Sequence, residues 1–387
     1  MPTDTLFHDP HTAGDAQVRA HLERAVQDLW THAPDHDHDA ADPAALCQPV
    51  ATHGLFVAAL PIVHGGAGLA TDTGFLALLV EALERIGGAD LSAGRIFEGH
   101  VNAIKLVFRY GTPSQQAALA ADVRAGSVCG VWNAEAPPGL RLEPAPTADR
   151  PGVLVGAKIF ASGLGLVARP LFTARTPDGQ MLMLAPRLGR DQGYDLSAWR
   201  VRGMRATATG TIDFTGVEVS EADVIGAPDD YYRSPTFKGG AWRFAAVQTG
   251  ATSRLAALMR EELRARRRTD DPHQKARVGT AALAAETARL WVARASVLAE
   301  SADSDPAAID AYVNLARLAV ERSALEVIAL AERGLGLSAF TRPSAVERVV
   351  RDLSTYLRQP FPDGALEGAA AYLLERDGPP AWDGGAV

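Results

Sequence analysis

Aromatic residues are scarce in this chain, at 6% of 387, and cysteine is nearly absent, with only Cys47 and Cys129. Two thiols cannot build a disulfide framework, so the chain reads as a cytoplasmic protein of a reducing compartment. No uninterrupted apolar run reaches the roughly 18 residues that a membrane span needs, and no membrane association is expected. The start, Met1 to Asp15, is polar and reads as no secretory signal. Positive charge is also in short supply. Lys and Arg number 38 against 46 Asp and Glu, a net charge of −8, which repels polyphosphate and argues against a nucleic-acid partner.

What the chain does have is Ala, Leu and Val, a mixture that favours helix over sheet because Ala and Leu cost little entropy there. From about Ala16 to Ala125 the text is helical. Leu76, Leu79, Leu83 and Ile86 recur at three- and four-residue spacing, and Gly87-Gly88 read as the stop that follows. Asp35-His36-Asp37-His38-Asp39 reads as a solvated loop and not a metal site, since it lacks a second ligand set. From Ser127 to Gly226 the character changes to short β-rich runs: Val153 to Val155, Pro170 to Thr173, Met181 to Leu184 and Thr211 to Phe214. Pro177-Asp178-Gly179 predicts a hairpin turn between two of them. After Tyr231 helix returns, with Val313, Ala316, Val320, Ala324 and Val327 marking one face of a long helix. Asp377 to Val387, rich in Gly and Pro, reads as a loose tail. The expected architecture is mainly α with a central β domain: helical residues 1–125, a small β-sandwich or barrel over 126–230, and a helical bundle over 231–387.

Several segments then resemble the acyl-CoA dehydrogenase family, over about Leu55 to Leu366. Leu60-Pro61-Ile62-Val63-His64-Gly65-Gly66-Ala67-Gly68 resembles the family's proline followed by Gly-Gly-x-Gly. His100-Val101-Asn102-Ala103 and Tyr110-Gly111-Thr112-Pro113-Ser114-Gln115-Gln116 look like the helix and turn before its β domain. Cys129-Gly130-Val131-Trp132-Asn133-Ala134-Glu135 stands where the family has its first flavin-facing strand. Lys158-Ile159-Phe160-Ala161-Ser162-Gly163 resembles the second, and Gly203-Met204-Arg205-Ala206-Thr207 its Gly-x-Arg-x-Ser/Thr segment.

The resemblance implies the family's fold, with an N-terminal helical domain, a β domain and a C-terminal four-helix bundle. It also implies bound FAD, contacted by Trp132, Asn133, Ala134, Phe160 and Ser162. The residue types suit that role. A flat, mostly apolar ring wants walls such as Phe160 and Trp132, and its polar edge wants small hydroxyls and amides such as Ser162 and Asn133. By pattern alone the two aromatics read as plain core, and it is their order among the other motifs that favours the ring. In the family an arginine after the next long helix binds the FAD diphosphate of a neighbouring subunit. Arg268 is the first candidate and Arg266 the second, with a solvated helix end as the alternative. A homodimer or homotetramer would follow. Glu332 and Arg333-Gly334-Leu335-Gly336 match the family's Gln-x-x-Gly-Gly-x-Gly only in part, and Arg348 with Arg351-Asp352 resembles its Arg-Asp pair.

The family's reaction removes an α-proton with a glutamate while flavin accepts the β-hydride of an acyl-CoA. Here the base position falls on Pro360, and its alternative on Trp242. Asp363, before Gly364, is the remaining catalytic candidate if the loop is longer by three residues. The resemblance therefore implies an FAD-dependent oxidoreductase of the α,β C–C bond in an acyl-CoA or related thioester. The missing base leaves open a flavin-dependent oxidase or monooxygenase, or a catalytically silent partner subunit that binds flavin or an acyl ligand.

Overall fold

The computed structural model describes residues 10–189, 192–301, 304–377, 380 and 382. Most of the polar start and of the tail expected over Asp377 to Val387 lies outside them. Six helices come first: α1 (Pro10–His32), α2 (Pro43–Thr52), α3 (Leu55–Ala58), α4 (Leu76–Ala89), α5 (Leu91–Tyr110) and α6 (Pro113–Arg124). Ten strands follow: β1 (Val128–Val131), β2 (Arg141–Leu142), β3 (Gly152–Val155), β4 (Ala157–Ala161), β5 (Val167–Arg175), β6 (Met181–Leu184), β7 (Tyr194–Asp195), β8 (Gly210–Asp213), β9 (Glu218–Val219) and β10 (Val224–Ile225). The chain closes with α7 (Trp242–Ala265), α8 (Pro272–Glu300), α9 (Pro306–Leu335), α10 (Ala345–Tyr356) and α11 (Pro362–Leu374). The layout is the expected one of helices, a β insert and a helical bundle. No helix among the described residues is long and apolar enough to cross a membrane.

The β insert forms two sheets. One runs β10-β6-β5-β2-β3-β9, with β1 lying parallel along β5, and the other runs β4-β8-β7. β5 and β6 pair antiparallel from Phe172 opposite Leu184 to Arg175 opposite Met181, so Pro177 to Gly179 is the predicted hairpin turn. Thr112 starts α6 with a reciprocal cap to Gln115, whose side chain also donates to the carbonyls of Ala222 and Val224. One cap thereby ties the helical start to the sheet.

In the bundle, Val313, Ala316, Val320, Ala324 and Val327 of α9 are all fully buried, as their spacing predicts. Gly87 and Gly88 fall in the last turn of α4, which ends at Ala89, one residue beyond the expected stop. A β-carbon on Gly87 would stand 2.3 Å from the Val247 carbonyl oxygen, and one on Gly250 would stand 1.8 Å from that of Glu84. These glycines let α4 and α7 touch backbone to backbone. The main apolar core then runs from Val18 in α1 through the sheets to Leu357 after α10, with a smaller cluster of Ala308, Ala311, Ala369 and Tyr372 between α9 and α11.

Candidate functional site

Backbone strain marks one corner of the β insert. Phe160, Met204 and Ala208 all take the left-handed conformation, at φ 52°, 59° and 42°. A bulky L-residue adopts that region at a cost, and such residues gather where geometry serves function. Phe160 lies where the β4–β8 register shifts between Lys158 and Ala161. The shift turns its ring outward, 64% exposed, while Trp132 nearby is buried. An apolar ring held strained and in the open fits a platform for another flat ring.

Polar groups stand beside it in fixed poses. The Asn133 side-chain oxygen Oδ1 accepts from the Thr173 amide at 3.2 Å, the Thr173 hydroxyl at 2.5 Å and the Lys158 ammonium at 3.4 Å. Three donors on one oxygen settle which way the amide points. Its NH2 faces the other way and reaches Tyr232 at 3.4 Å. Lys158 is fully buried and ion-paired with Glu135 at 2.7 Å, while desolvation pulls its pKa down. Trp132 Nε1 donates to the Ser162 carbonyl at 2.8 Å. The Ser162 hydroxyl accepts from Thr209 at 2.9 Å, Thr209 meets Thr207 at 2.8 Å, and Thr207 donates to the Met204 carbonyl at 2.8 Å. Rotatable protons along such a ladder let Ser162 present either a donor or an acceptor. Ala134 is exposed, and its carbonyl accepts from Ile159 at 2.9 Å. Trp132, Asn133, Ala134, Phe160 and Ser162 thus all sit on β1, β4 or the residues that follow them. These groups fit the edge and face of a flavin ring.

The turn after Gly203 is anchored from α10. The Met204 amide donates to Asp352 at 2.7 Å, and a β-carbon on Gly203 would strike the Arg351 carbonyl oxygen at 2.2 Å. Burial, with Asp90 adding repulsion, pushes the Asp352 carboxyl up to about 7. Arg351 pairs with Asp37 at 2.5 Å and with Glu347 at 2.9 Å, and Arg205 pairs with Asp39 at 2.6 Å. The acidic run at 35–39 is therefore more than a solvated loop, since two of its carboxylates clasp the strained turn. No cluster of His, Cys, Asp or Glu able to hold a metal occurs among the described residues. Asp39, Arg202, Arg205, Phe340, Arg342 and Arg351 line an open cavity of about 420 Å³ on this side.

The base positions are plain. Trp242 is fully buried at the head of α7. Pro360 ends the loop before α11, where its carbonyl accepts from Arg317 at 2.7 Å. Asp363 is exposed in the first turn of α11, where its charge meets the positive end of the helix. Arg268 is half exposed and pairs with Asp271 at 3.1 Å, while Arg266 donates to the Leu335 carbonyl at 3.2 Å.

One feature escaped the sequence reading. Arg95, Glu98, Asn102 and Lys105 form a row along α5 that continues into the bundle. Arg95 pairs with Glu98 at 2.5 Å, and Glu98 accepts from Asn102. Asn102 then accepts from Arg243 at 2.8 Å, Arg243 pairs with Glu300 at 2.8 Å, and Glu300 with Lys105. Polar residues at three- and four-residue spacing within an otherwise apolar helix were the available signal.

Residues 11–127 match the family model for the acyl-CoA dehydrogenase N-terminal domain. A dibenzothiophene monooxygenase of Rhodococcus erythropolis is 25% identical over 235 residues, which cover 57% of this chain and 54% of that protein. The chain therefore spans about half the length of such a curated relative. Over nearly its full length the fold superimposes on two solved structures. FMN-bound TdsC, a dibenzothiophene monooxygenase from Paenibacillus sp. A11-2, aligns at a TM-score of 0.80 with 20% identity, covering 95% of this chain and 99% of that one. Butyryl-CoA dehydrogenase from Megasphaera elsdenii also aligns at 0.80, with 17% identity over 96% of this chain and 100% of that one.

Proposed function

We propose that this chain, which has the acyl-CoA dehydrogenase fold, is a flavin-dependent monooxygenase acting on a small planar molecule and not an acyl-CoA dehydrogenase. The observation that carries the reading is the state of the base positions. One is a fully buried tryptophan, Trp242, and the other is Pro360. The remaining carboxylate, Asp363, is exposed. An α C–H bond is too weak an acid to yield to a solvated carboxylate in a helix's first turn. The likeness to dibenzothiophene monooxygenases supports the same choice.

A bound flavin, once reduced, would supply the activation of oxygen, which needs no carboxylate base. In this reading Phe160 walls the ring, the buried Trp132 holds the Ser162 backbone behind it, the Asn133 NH2 donates to the ring's polar edge, and Ser162 donates or accepts beside it. Thr207 and Thr209 hold Ser162 in place, and Lys158 with Thr173 holds Asn133. FMN is favoured over FAD, because the segment that would meet the adenosine is broken at Glu332 to Gly336 and leaves Leu337 82% exposed. Arg268, exposed and outside this corner, serves a neighbouring subunit's flavin phosphate in a homodimer or homotetramer.

The test compares two reactions of the full chain. Protein supplied with reduced FMN should take up oxygen and transfer it to indole or dibenzothiophene. Anaerobic addition of an acyl-CoA panel to the oxidised flavoprotein should leave its colour unchanged. Bleaching by any acyl-CoA would overturn the reading in favour of the dehydrogenase.

A further inference from the structure

The inner end of α5 carries donors that none of the roles above uses. Arg95 stands among buried residues of α5, Gly94, Ile96, Phe97 and Glu98, yet keeps 27% of its side chain accessible. Its position is next to the proposed ring site. A β-carbon built on Gly99 would stand 3.8 Å from Arg95 Nη1, from Gly130 Cα and from the Val131 amide nitrogen of β1. The hydroxyls of Tyr231 and Tyr356 lie within electrostatic reach of the guanidinium. Those two residues are 1% and 5% exposed, Tyr231 set beside Asn133 and Tyr356 beside Arg95, and among the described residues neither hydroxyl meets a partner at full hydrogen-bond geometry. Buried hydroxyls left short of a full hydrogen bond are uncommon, because desolvating them is costly.

Along the row Arg95 pairs one-to-one with Glu98, while Arg243 and Lys105 share Glu300. Glu98 engages the Nη1 end of Arg95, and a guanidinium carries five N–H donors in a rigid fork. An alkyl chain placed here would strip water from that fork and return nothing. An oxygen anion would satisfy it, together with the two phenols.

We propose that Arg95, flanked by Tyr231 and Tyr356, anchors an ionised oxygen of the substrate, so that the molecule oxidised is a flat aromatic compound bearing a carboxylate or phenolate. This identification of the oxidised molecule rests on the monooxygenase reading, but the binding preference does not. Calorimetric titration of the full chain, with and without FMN, tests it using benzoate and indole-3-carboxylate against benzamide and indole-3-carboxamide. 4-Nitrophenol, titrated across its own ionisation, probes the phenolate arm. The carboxylates should bind about tenfold or more tightly than their amides, as charge-assisted pairing to a partly buried arginine implies. Arg95→Met should bring acid and amide to within about twofold of each other. Glu98→Gln should strengthen carboxylate binding, because it releases the guanidinium from its internal partner; a purely structural Glu98 would give the opposite. Equal affinity for acid and amide in the unaltered protein overturns the proposal, as does weaker carboxylate binding by Glu98→Gln. Where Arg95→Met fails to fold, those two comparisons decide. Failure to bind FMN would instead sink the monooxygenase reading, with the carboxylate preference still read on flavin-free protein.

Discussion

The Met204 amide donates to the buried Asp352 carboxylate across 2.7 Å, joining a left-handed residue of the β insert to α10, 148 positions later. Through this bond the C-terminal bundle dictates the turn that positions Thr207, and Thr207 begins the hydroxyl ladder to Ser162. The carboxyl is also an energetic liability. Burial raises it to about 7, whereas an unfolded aspartate titrates near ~3.9.

The sign of its pH effect follows. Between about pH 4 and 7 the unfolded chain has released this proton and the folded chain still holds it, so its contribution to stability falls as pH rises and then levels off. Asp352→Asn keeps an acceptor for Met204 and removes the titration. Its melting temperature should rise relative to the unaltered protein from pH 5 to pH 8. Asp352→Ala should melt below Asp352→Asn at every pH, by the equivalent of about 1–3 kcal/mol for the orphaned amide. A difference between Asn variant and parent that stays constant with pH would contradict the account.

His100 gives the mirror case. Its Nδ1 accepts from the Cys129 amide at 3.0 Å, and its Nε2 sits 2.9 Å from the Phe56 carbonyl, to which it donates as the neutral ring. Burial lowers its pKa to about 4. Its contribution is complete above the unfolded value of about 6.5 and is lost as pH falls through about 4, because the unfolded chain takes the proton first. His100→Leu should cost about 1–3 kcal/mol at pH 7 for each backbone group it strands. It should also flatten the acid side of the melting curve between pH 6.5 and 4. Unchanged acid sensitivity in that variant would show that His100 is not the titrating group.

Glycines that look alike in the sequence should behave in opposite ways. Gly250→Ala drives a β-carbon to 1.8 Å from the Glu84 carbonyl oxygen, so α4 and α7 must part. A loss of about 3 kcal/mol or more is expected, at or beyond the usual range for overpacking. Gly279→Ala lies within α8, with nothing inside 4 Å of the new carbon, and should stabilise the fold by up to ~1 kcal/mol. Chemical denaturation of the two variants checks both signs.

The contrast shows what the sequence could and could not reveal. Periodicity exposed the face of α9 and the turn at Pro177 to Gly179, because each depends on residues near one another in the chain. Gly87 and Gly88 read as a helix stop, but their contact with the backbone of α7, about 160 residues on, has no local sign. Ordered motifs pointed to Trp132, Asn133, Phe160 and Ser162, and the fold brings them to one corner. The outward turn of Phe160 depends on a register shift against β8 that no local pattern encodes. The row from Arg95 to Lys105 was visible only as spacing, and its meaning waited on Arg243 and Glu300 from other helices.

Phe160 ties stability to function most directly. A phenylalanine at φ 52° costs roughly 1–2 kcal/mol against an unstrained residue, and at 64% exposure its ring recovers little by burial. Phe160→Gly relieves that strain, since glycine takes positive φ freely, although it loosens the unfolded chain by a few tenths to ~1 kcal/mol. The flavin-free variant should therefore melt at or above the parent. The same change removes the platform under the ring, and FMN affinity should fall by about tenfold or more, as loss of a stacked aromatic of ~1.4 kcal/mol implies. Fluorescence quenching of FMN and thermal melts on one preparation measure both quantities. A variant that melts lower and binds FMN as well as the parent would make Phe160 an ordinary structural residue, and the strain at that corner would need another cause.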